Sequence, residues 1–194
     1  MKVLVACEFS GVVRQAFRDL GHSAWSCDLL PSADDSAHHL QSDVLEILDC
    51  GWDLLIAHPP CTYMSNSGVR WLHTQPGRWS KLDDACRFFN ALKSSPIDRI
   101  CIENPIPHKY AREQIGKYTQ IVHPWQHGHG ESKATCLWLK GLPELQPTNI
   151  VEGREQRVWK LPPSPDRWKL RAQTYQGIAD AMAEQWSNHD RIHS

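Results

Sequence analysis

Short strand-like runs that alternate with helical segments constrain the fold of this chain most strongly. Two segments, 12–20 and 82–92, carry apolar residues at the three- and four-residue spacing of a helix that buries one face. Strands that alternate with such helices form mostly parallel, doubly wound sheets. The sequence therefore predicts an α/β, Rossmann-like fold. The predicted strands are 2–7, 23–27, 52–57, 99–102 and 135–139.

The remaining segments add short helices and loops to this prediction. Polar residues, glycine and proline interrupt the periodicity in three segments, so we predict loops there. We expect one compact domain over 1–194, with a core at 1–142 and an irregular basic segment and closing helix at 143–194. The predicted loops are 29–41, 62–80 and 143–165, and the further predicted helices are 43–48, 108–116 and 175–186.

Composition excludes several classes of protein. With 41% hydrophobic and 22% charged residues, the chain of 194 residues is typical of a globular domain rather than a disordered or fibrous protein. No apolar run approaches the ~20 residues that span a bilayer, so we expect a cytoplasmic protein without membrane contact. The seven cysteines are odd in number and lack CxxC spacing, which favours reduced thiols. The eleven histidines show no zinc-ligand spacing, so we predict no metal site.

Reactive and polar side chains follow four of the predicted strands. They are the Phe-Ser-Gly turn at 9–11, Asp28, the Pro-Pro-Cys turn at 59–61 and the Glu-Asn pair at 103–104. Ligands bind beyond the carboxyl ends of parallel strands, and these ends lie at one edge of a sheet. We therefore expect the four turns to line one crevice.

Two of these side chains predict covalent chemistry. Cys61 stands on a proline-stiffened turn, which favours a nucleophile over a packed structural thiol, and a nucleophile needs a cation or a helix N-terminus to lower its pKa. Glu103 follows a buried-looking strand, where desolvation should raise its pKa and keep it a protonated general acid. The alternative for Glu103 is a carboxylate that caps the next helix. Asn104 is expected to fix the turn or to hydrogen-bond the neighbouring loop.

In their order along the chain, these turns resemble the motifs of the cytosine-5 DNA methyltransferase family. Pro59-Pro60-Cys61 is similar to the family's Pro-Cys nucleophile motif, and Glu103-Asn104 to its Glu-Asn-Val motif. The resemblance implies a SAM-dependent methyltransferase fold, where SAM is S-adenosylmethionine. It also implies methyl transfer to carbon 5 of cytosine through a Cys61 adduct. The chain looks like a small phage-encoded member that lacks a full target-recognition region, which would place it in the host cytoplasm.

The resemblance also implies how the cofactor is held. The turn before the first helix is similar to the family's SAM-contacting motif, and the start of that helix should favour the cofactor's carboxylate. Asp28 looks like the acid that binds the ribose hydroxyls, although a plain turn aspartate is the alternative. The expected cofactor-binding residues are Phe9, Ser10, Gly11, Asp28, Asp43, Pro59 and Gln176.

DNA is the expected partner, either single-stranded or bound with little sequence selectivity. The net charge is −1, but the segment 153–171 is strongly basic and can hold phosphates. A solvated face that balances acids elsewhere is the alternative. The resemblance implies that the loop 62–80, which carries aromatic and basic side chains, closes over a flipped base. The expected substrate-binding residues are Pro60, Thr62, Ser65, Arg70, Arg154 and Arg157.

Two other functions stay open at this point. The Cys61–Glu103 pair would also suit an enzyme that modifies a nucleotide or RNA, or that adds another one-carbon unit. A non-catalytic protein that binds SAM, DNA or a host protein is the third possibility.

Overall fold

A seven-stranded sheet forms the centre of the computed structural model, which describes residues 1–160, 162–164 and 167–187. The strands are β1 (Lys2–Ala6), β2 (Ser23–Asp28), β3 (His39–Gln41), β4 (Leu54–Ala57), β5 (Arg99–Pro105), β6 (Gln120–Val122) and β7 (Thr135–Lys140). Their order across the sheet is β3-β2-β1-β4-β5-β7-β6. The first five strands run parallel, and β7 lies antiparallel between β5 and β6.

Helices cover both faces of this sheet. They are α1 (Val12–Asp19), α2 (Arg78–Lys93), α3 (Lys109–Ile115), α4 (Arg157–Lys160), α5 (Arg167–Ala172) and α6 (Gln176–Ser187). Short 3-10 helices lie at Val44–Glu46, Asn66–Leu72 and Pro124–Gln126. Within the described part of the chain, no helix combines the length and apolar character needed to cross a membrane.

Side-chain alternation along the central strands builds two core layers. In β1, Val3 and Val5 pack with residues of α1 and α6, whereas Leu4 and Ala6 point to the opposite face and pack with residues of α2. All four residues of β4 are fully buried. Parallel strands that helices cover on both sides have continuous apolar runs in their sequence, as β4 has.

The structure confirms the predicted Rossmann-like α/β fold and corrects several local predictions. β3 lies inside the predicted loop 29–41, and α4 lies inside the predicted loop 143–165. A 3-10 helix and the first turn of α2 occupy part of the predicted loop 62–80. β6 and α5 were not predicted. Each of these elements is short, so its sequence carries too little periodicity to be recognised.

The strand β5 also extends further than predicted. Glu103 and Asn104 pair with Leu137 and Cys136 of β7, so both lie within β5 rather than after it. Their side chains are therefore fixed by the sheet ladder, which holds them more rigidly than a loop would.

Candidate active site

A pocket opens at the carboxyl ends of three neighbouring strands, β1, β4 and β5. Two further stretches complete its wall, one before β7 and one that runs from the end of α5 towards α6. Three of the four turns singled out in the sequence line this pocket, and Asp28 does not. The lining residues are Cys7, Glu8, Phe9, Ser10, His58, Pro59, Pro60, Cys61, Glu103, Asn104, Pro105, Lys133, Arg171, Ala172, Gln173 and Thr174.

An imidazole and a carboxylate form the closest polar contact in this pocket. Nδ1 of His58 lies 2.6 Å from Oε2 of Glu103, and the two side chains are only 9% and 11% exposed. Burial disfavours the charged form of His58, but the hydrogen bond and the negative charge of Glu103 outweigh it and raise the His58 pKa. The raised pKa favours the imidazolium form of His58 beside the carboxylate of Glu103.

This pairing corrects the expected charge of Glu103. Burial alone would raise the pKa of Glu103, as the sequence argument assumed. The hydrogen bond and charge of His58, together with the charge of Lys133, outweigh burial and lower that pKa. Glu103 is consequently an ionised carboxylate in the free protein and not the protonated general acid that the sequence predicted.

Cys61 is half-buried and lines the same pocket as Glu103. Burial and the charge of Glu103 raise its pKa, while Arg171 and Lys133 act in the opposite direction. The sequence argument expected a lowered pKa, and this expectation is wrong for the free protein. The cations that should lower it are present, but they do not outweigh burial.

Asn104 holds the turn at residues 59–61 in place. Its amide Nδ2 donates to the carbonyl oxygen of Pro59 at 2.9 Å, and the side chain is 1% exposed. The bond joins the end of β5 to the turn after β4, so the prediction that Asn104 contacts the neighbouring loop is confirmed. It also fixes Pro59, which lines the pocket.

At the end of β1, a buried carboxylate occupies the position expected for the cofactor's carboxylate. Glu8 accepts hydrogen bonds from the backbone N–H of Val13 at 2.7 Å and of Arg14 at 3.2 Å. These amides of α1 are therefore not available to a ligand, which corrects the expectation from the sequence. Gly11 precedes α1 with φ of 75°, a conformation that glycine adopts without strain.

The two acids expected at the cofactor lie next to the β1 end rather than in the pocket wall. Burial, followed by the charges of Asp28 and Asp43, raises the pKa of Cys7, so both carboxylates lie within electrostatic reach of this thiol. Asp28 accepts the N–H of Leu30 at 2.9 Å, and Asp43 accepts the N–H of Leu45 at 3.0 Å. One oxygen of each acid thus stabilises a local turn.

The other predicted ligand-binding residues divide into two groups. Phe9, Ser10 and Pro60 line the pocket. Gln176 is outside it, where its Nε2 donates to Asp180 at 2.8 Å.

The loop after Cys61 carries three of the predicted substrate residues. Thr62 is exposed, and its carbonyl accepts a hydrogen bond from Arg78 at 3.2 Å. Ser65 is buried and bonds the hydroxyl of Ser67 at 3.0 Å. Arg70 is exposed and lies over the ring of Trp71 at 4.4 Å. These residues follow Cys61 in the chain but do not line the pocket.

The structure does not bring Arg154 and Arg157 to the pocket. Arg154 lies over the ring of Trp125 at 3.9 Å, and Nη2 of Arg157 lies 2.5 Å from the carboxylate of Glu131. Both exposed arginines therefore tie the basic segment to the region before β7. Residues 161, 165 and 166 of that segment lie outside the described part of the chain.

Sequence reasoning missed three residues that shape this site. His58 directly precedes the two prolines, and only its position at a strand end signalled a role. Lys133 stands in an irregular stretch and gave no signal. Arg171 belongs to the basic segment, but the sequence did not predict that it lines the pocket. Among the described residues, no group of three or more His, Cys, Asp or Glu could hold a metal ion.

Solved structures of methyltransferases share this fold. One is described as a DNA modification methyltransferase encoded within an E. coli prophage: the match has 16% identity and a TM-score of 0.51, and covers 82% of this chain and 55% of that one. Another is a methyltransferase of Entamoeba histolytica, with 15% identity, a TM-score of 0.53, and coverage of 84% and 60%.

Similarity at this level defines the fold class and no more. The chain spans under two thirds of the length of both proteins. Neither a family model nor a curated protein matches it. The Rossmann-like fold is therefore shared with methyltransferases, and the activity has to be inferred from the site.

Proposed function

We propose that this protein is a SAM-dependent methyltransferase that modifies carbon 5 of cytosine in DNA. One observation carries the proposal: a thiol and an ionised carboxylate, Cys61 and Glu103, stand at the ends of adjacent strands and line one pocket. This pair suits attack on a cytosine ring, because the thiol can add to the ring and the carboxylate can accept a hydrogen bond from the exocyclic amine.

The thiolate of Cys61 adds to carbon 6 of cytosine and makes carbon 5 nucleophilic. Carbon 5 then takes the methyl group, its hydrogen leaves as a proton, and the thiolate is expelled. Negative charge builds on the ring during the addition, and we assign Glu103 with its partner His58 to the edge of the ring that carries nitrogen 3 and the exocyclic amine. The raised pKa of Cys61 disfavours the thiolate in the free protein.

The β1 end has the shape and the acceptors that suit the methyl donor. Phe9 and Ser10 line the pocket beside Cys61, and Asp28 and Asp43 supply carboxylates next to Cys7. A carboxylate can accept hydrogen bonds from ribose hydroxyls, and an aromatic face can pack on a purine. SAM, when bound there, supplies an electrophilic methyl group on a sulfonium ion.

Aromatic and basic side chains beyond Cys61 support a nucleic-acid substrate. Arg78 and Lys81 lie over the ring of Tyr63 at 4.8 and 5.8 Å. Trp71 and Trp79 are 36% and 41% exposed on the same stretch. Bases stack on exposed aromatic rings, and arginine and lysine bind phosphates, so this surface suits a DNA strand whose cytosine enters the pocket.

A labelled-methyl assay tests the proposal. The protein is incubated with tritium-labelled SAM and duplex DNA, single-stranded DNA, RNA or dCMP. We expect label on cytosine of DNA, and we expect Cys61→Ser to lose at least about 10³-fold of the activity. Cys50→Ser is the matched control, because Cys50 is exposed and outside the pocket. Label on RNA or dCMP alone would show that DNA is not the substrate. No label on any of the four would refute the proposal.

Trapping identifies the nucleophile directly. In 5-fluorocytosine DNA, fluorine cannot leave carbon 5 as a proton does, so the covalent adduct persists. The wild type and Cys50→Ser should form a complex with this DNA that survives denaturing electrophoresis. An adduct that persists in Cys61→Ser would exclude Cys61 as the nucleophile.

A further inference from the structure

His58 stands between two carboxylates that come from different strands. Its Nδ1 contacts Glu103 of β5, and its charge interacts with Glu8 at the end of β1. Its Nε2 is buried and has no hydrogen-bond partner among the described residues. A histidine that only stabilised the fold would be expected to use both nitrogens within the protein.

We propose that His58 is a positioning residue that acts through Glu103: it fixes the direction of the Glu103 carboxylate and keeps the pair neutral where it meets the substrate. The inference rests on the proposed function, because it assigns a role within cytosine addition. It adds to the site a positive charge on the imidazole of His58, which neither Cys61 nor Glu103 supplies.

Charge explains why such a residue is needed. A lone carboxylate would repel the negative charge that builds on the pyrimidine ring when a thiolate adds to it. With an imidazolium behind it, the pair carries no net charge and opposes the addition much less. The 2.6 Å contact between Nδ1 and Oε2 also restricts rotation of the carboxylate, so its direction is set before the substrate arrives.

Three charged groups act on His58 and determine when it is protonated. Glu103 and Glu8 favour the imidazolium, whereas Lys133, from the stretch before β7, opposes it. The two carboxylates together outweigh both burial and Lys133. As pH rises through the raised pKa of His58, the ring loses its proton and the pair becomes negative. Catalysis that depends on a neutral pair should therefore weaken above that pH.

The substitution His58→Asn separates this role from a structural one. The asparagine amide can place a neutral N–H near the position of Nδ1 and so keep a hydrogen bond to Glu103, but it cannot carry a positive charge. His58→Gln is a second variant in case the first is poorly folded, and thermal unfolding of each checks its stability.

The first measurement needs no substrate. Nitrogen-15 NMR of the histidine rings follows their titration, and the signal missing from His58→Asn assigns His58. In Glu103→Gln the partner charge is gone, so we expect the pKa of His58 to fall by at least about 1. An unchanged His58 pKa would overturn the proposal, because the charge of Glu103 would then have no effect on His58.

The second measurement compares kcat of the wild type and His58→Asn on cytosine DNA across pH. At low pH the wild type should be faster by about 10-fold, with KM altered less than about 2-fold. The ratio of the two kcat values should fall towards one as pH rises through the His58 pKa, and titrations that both proteins share cancel in it. A ratio that stays constant with pH would reveal a merely structural role and overturn the proposal.

The two measurements also separate this inference from the proposed function. If the wild type modifies no cytosine substrate, the proposed function fails by itself. The NMR titration would still confirm or refute the charge pair on which the role of His58 depends.

Discussion

The ends of β1 and β4 present the same two kinds of group to one pocket but differ in what surrounds them. Each end brings a thiol close to a carboxylate: Cys7 with Glu8 at β1, and Cys61 with Glu103 across β4 and β5. Glu8 uses both carboxylate oxygens on the backbone of α1, whereas Glu103 pairs with a side chain that can titrate.

The two thiols differ in the sign of the neighbouring charge. Beyond burial, the acids Asp28 and Asp43 raise the pKa of Cys7 far above its ordinary range. Burial and Glu103 also raise the pKa of Cys61, but the cations Arg171 and Lys133 oppose them. The neighbouring charges therefore favour the thiolate of Cys61 over that of Cys7. Residue type and position at a strand end do not distinguish the two thiols. The charges of the neighbouring side chains distinguish them.

The largest expected effect concerns the structural role of Glu8. Glu8→Ala removes the acceptor of two α1 amides from a side chain that is 4% exposed, so the free energy of unfolding should fall by about 2 kcal/mol. Chemical denaturation measures it. Glu144→Ala, at an exposed position, should change stability by less than about 0.5 kcal/mol. Equal stability of the two variants would show that Glu8 does not anchor α1.

A second prediction compares the reactivity of the two thiols. Both are half-buried, but the acids around Cys7 suppress its thiolate more strongly, so iodoacetamide should modify Cys61 at least about 10-fold faster at pH 8. Peptide mass spectrometry measures each rate, and exposed Cys50 is the internal reference. Because the pKa of Cys61 is raised, its rate should still increase with pH beyond the range of an ordinary thiol. Faster modification of Cys7 would show that Cys7, and not Cys61, has the more reactive thiol.

The tight turn at the β1 end gives a third, smaller effect. Gly11 and Gly21 both have positive φ, of 75° and 84°, so Ala strains either position by about 1 kcal/mol. At Gly21 an added Cβ meets nothing within 4 Å, whereas at Gly11 it would overlap the guanidinium of Arg14. Gly11→Ala should therefore cost about 1 kcal/mol more than Gly21→Ala in denaturation. Equal losses would mean that Arg14 moves aside freely.

The convergence of Cys61 and Glu103 could be predicted from the sequence because it follows from topology. Each residue lies at the end of an apolar run, and carboxyl ends of adjacent parallel strands lie at one edge of the sheet. The contact between His58 and Glu103 could not be predicted, since the two are 45 positions apart and their side-chain directions depend on packing. The predicted pKa directions at Glu103 and Cys61 were wrong for opposite reasons. At Glu103 burial was weighed without the charges of His58 and Lys133, and at Cys61 a cation was expected without the cost of burial.

The positions of the basic side chains were the least predictable part of the site. A run of arginines indicates a phosphate-binding face, but Arg157 pairs with Glu131 instead. Lys133 and Arg171 reach the pocket from stretches without periodicity, and Nζ of Lys133 donates to the carbonyl of Arg171 at 2.9 Å. The local fold rather than the charge pattern therefore decides which cations line the pocket with Cys61.

The smallest expected effect tests those cations. Lys133→Ala removes a positive charge that lowers the Cys61 pKa, so this pKa should rise further and less thiolate should be present at pH 8. Alkylation of Cys61 should slow by about 3-fold, and the loss should shrink at high salt and vanish above the thiol pKa, where the thiolate is complete in both proteins. Lys2→Ala is the control, because Lys2 begins β1 at the opposite edge of the sheet. A slowing that does not depend on salt or pH would mean that Lys133 controls access to Cys61 rather than the pKa of its thiol. The proposed electrostatic difference between Cys7 and Cys61 would then be unsupported.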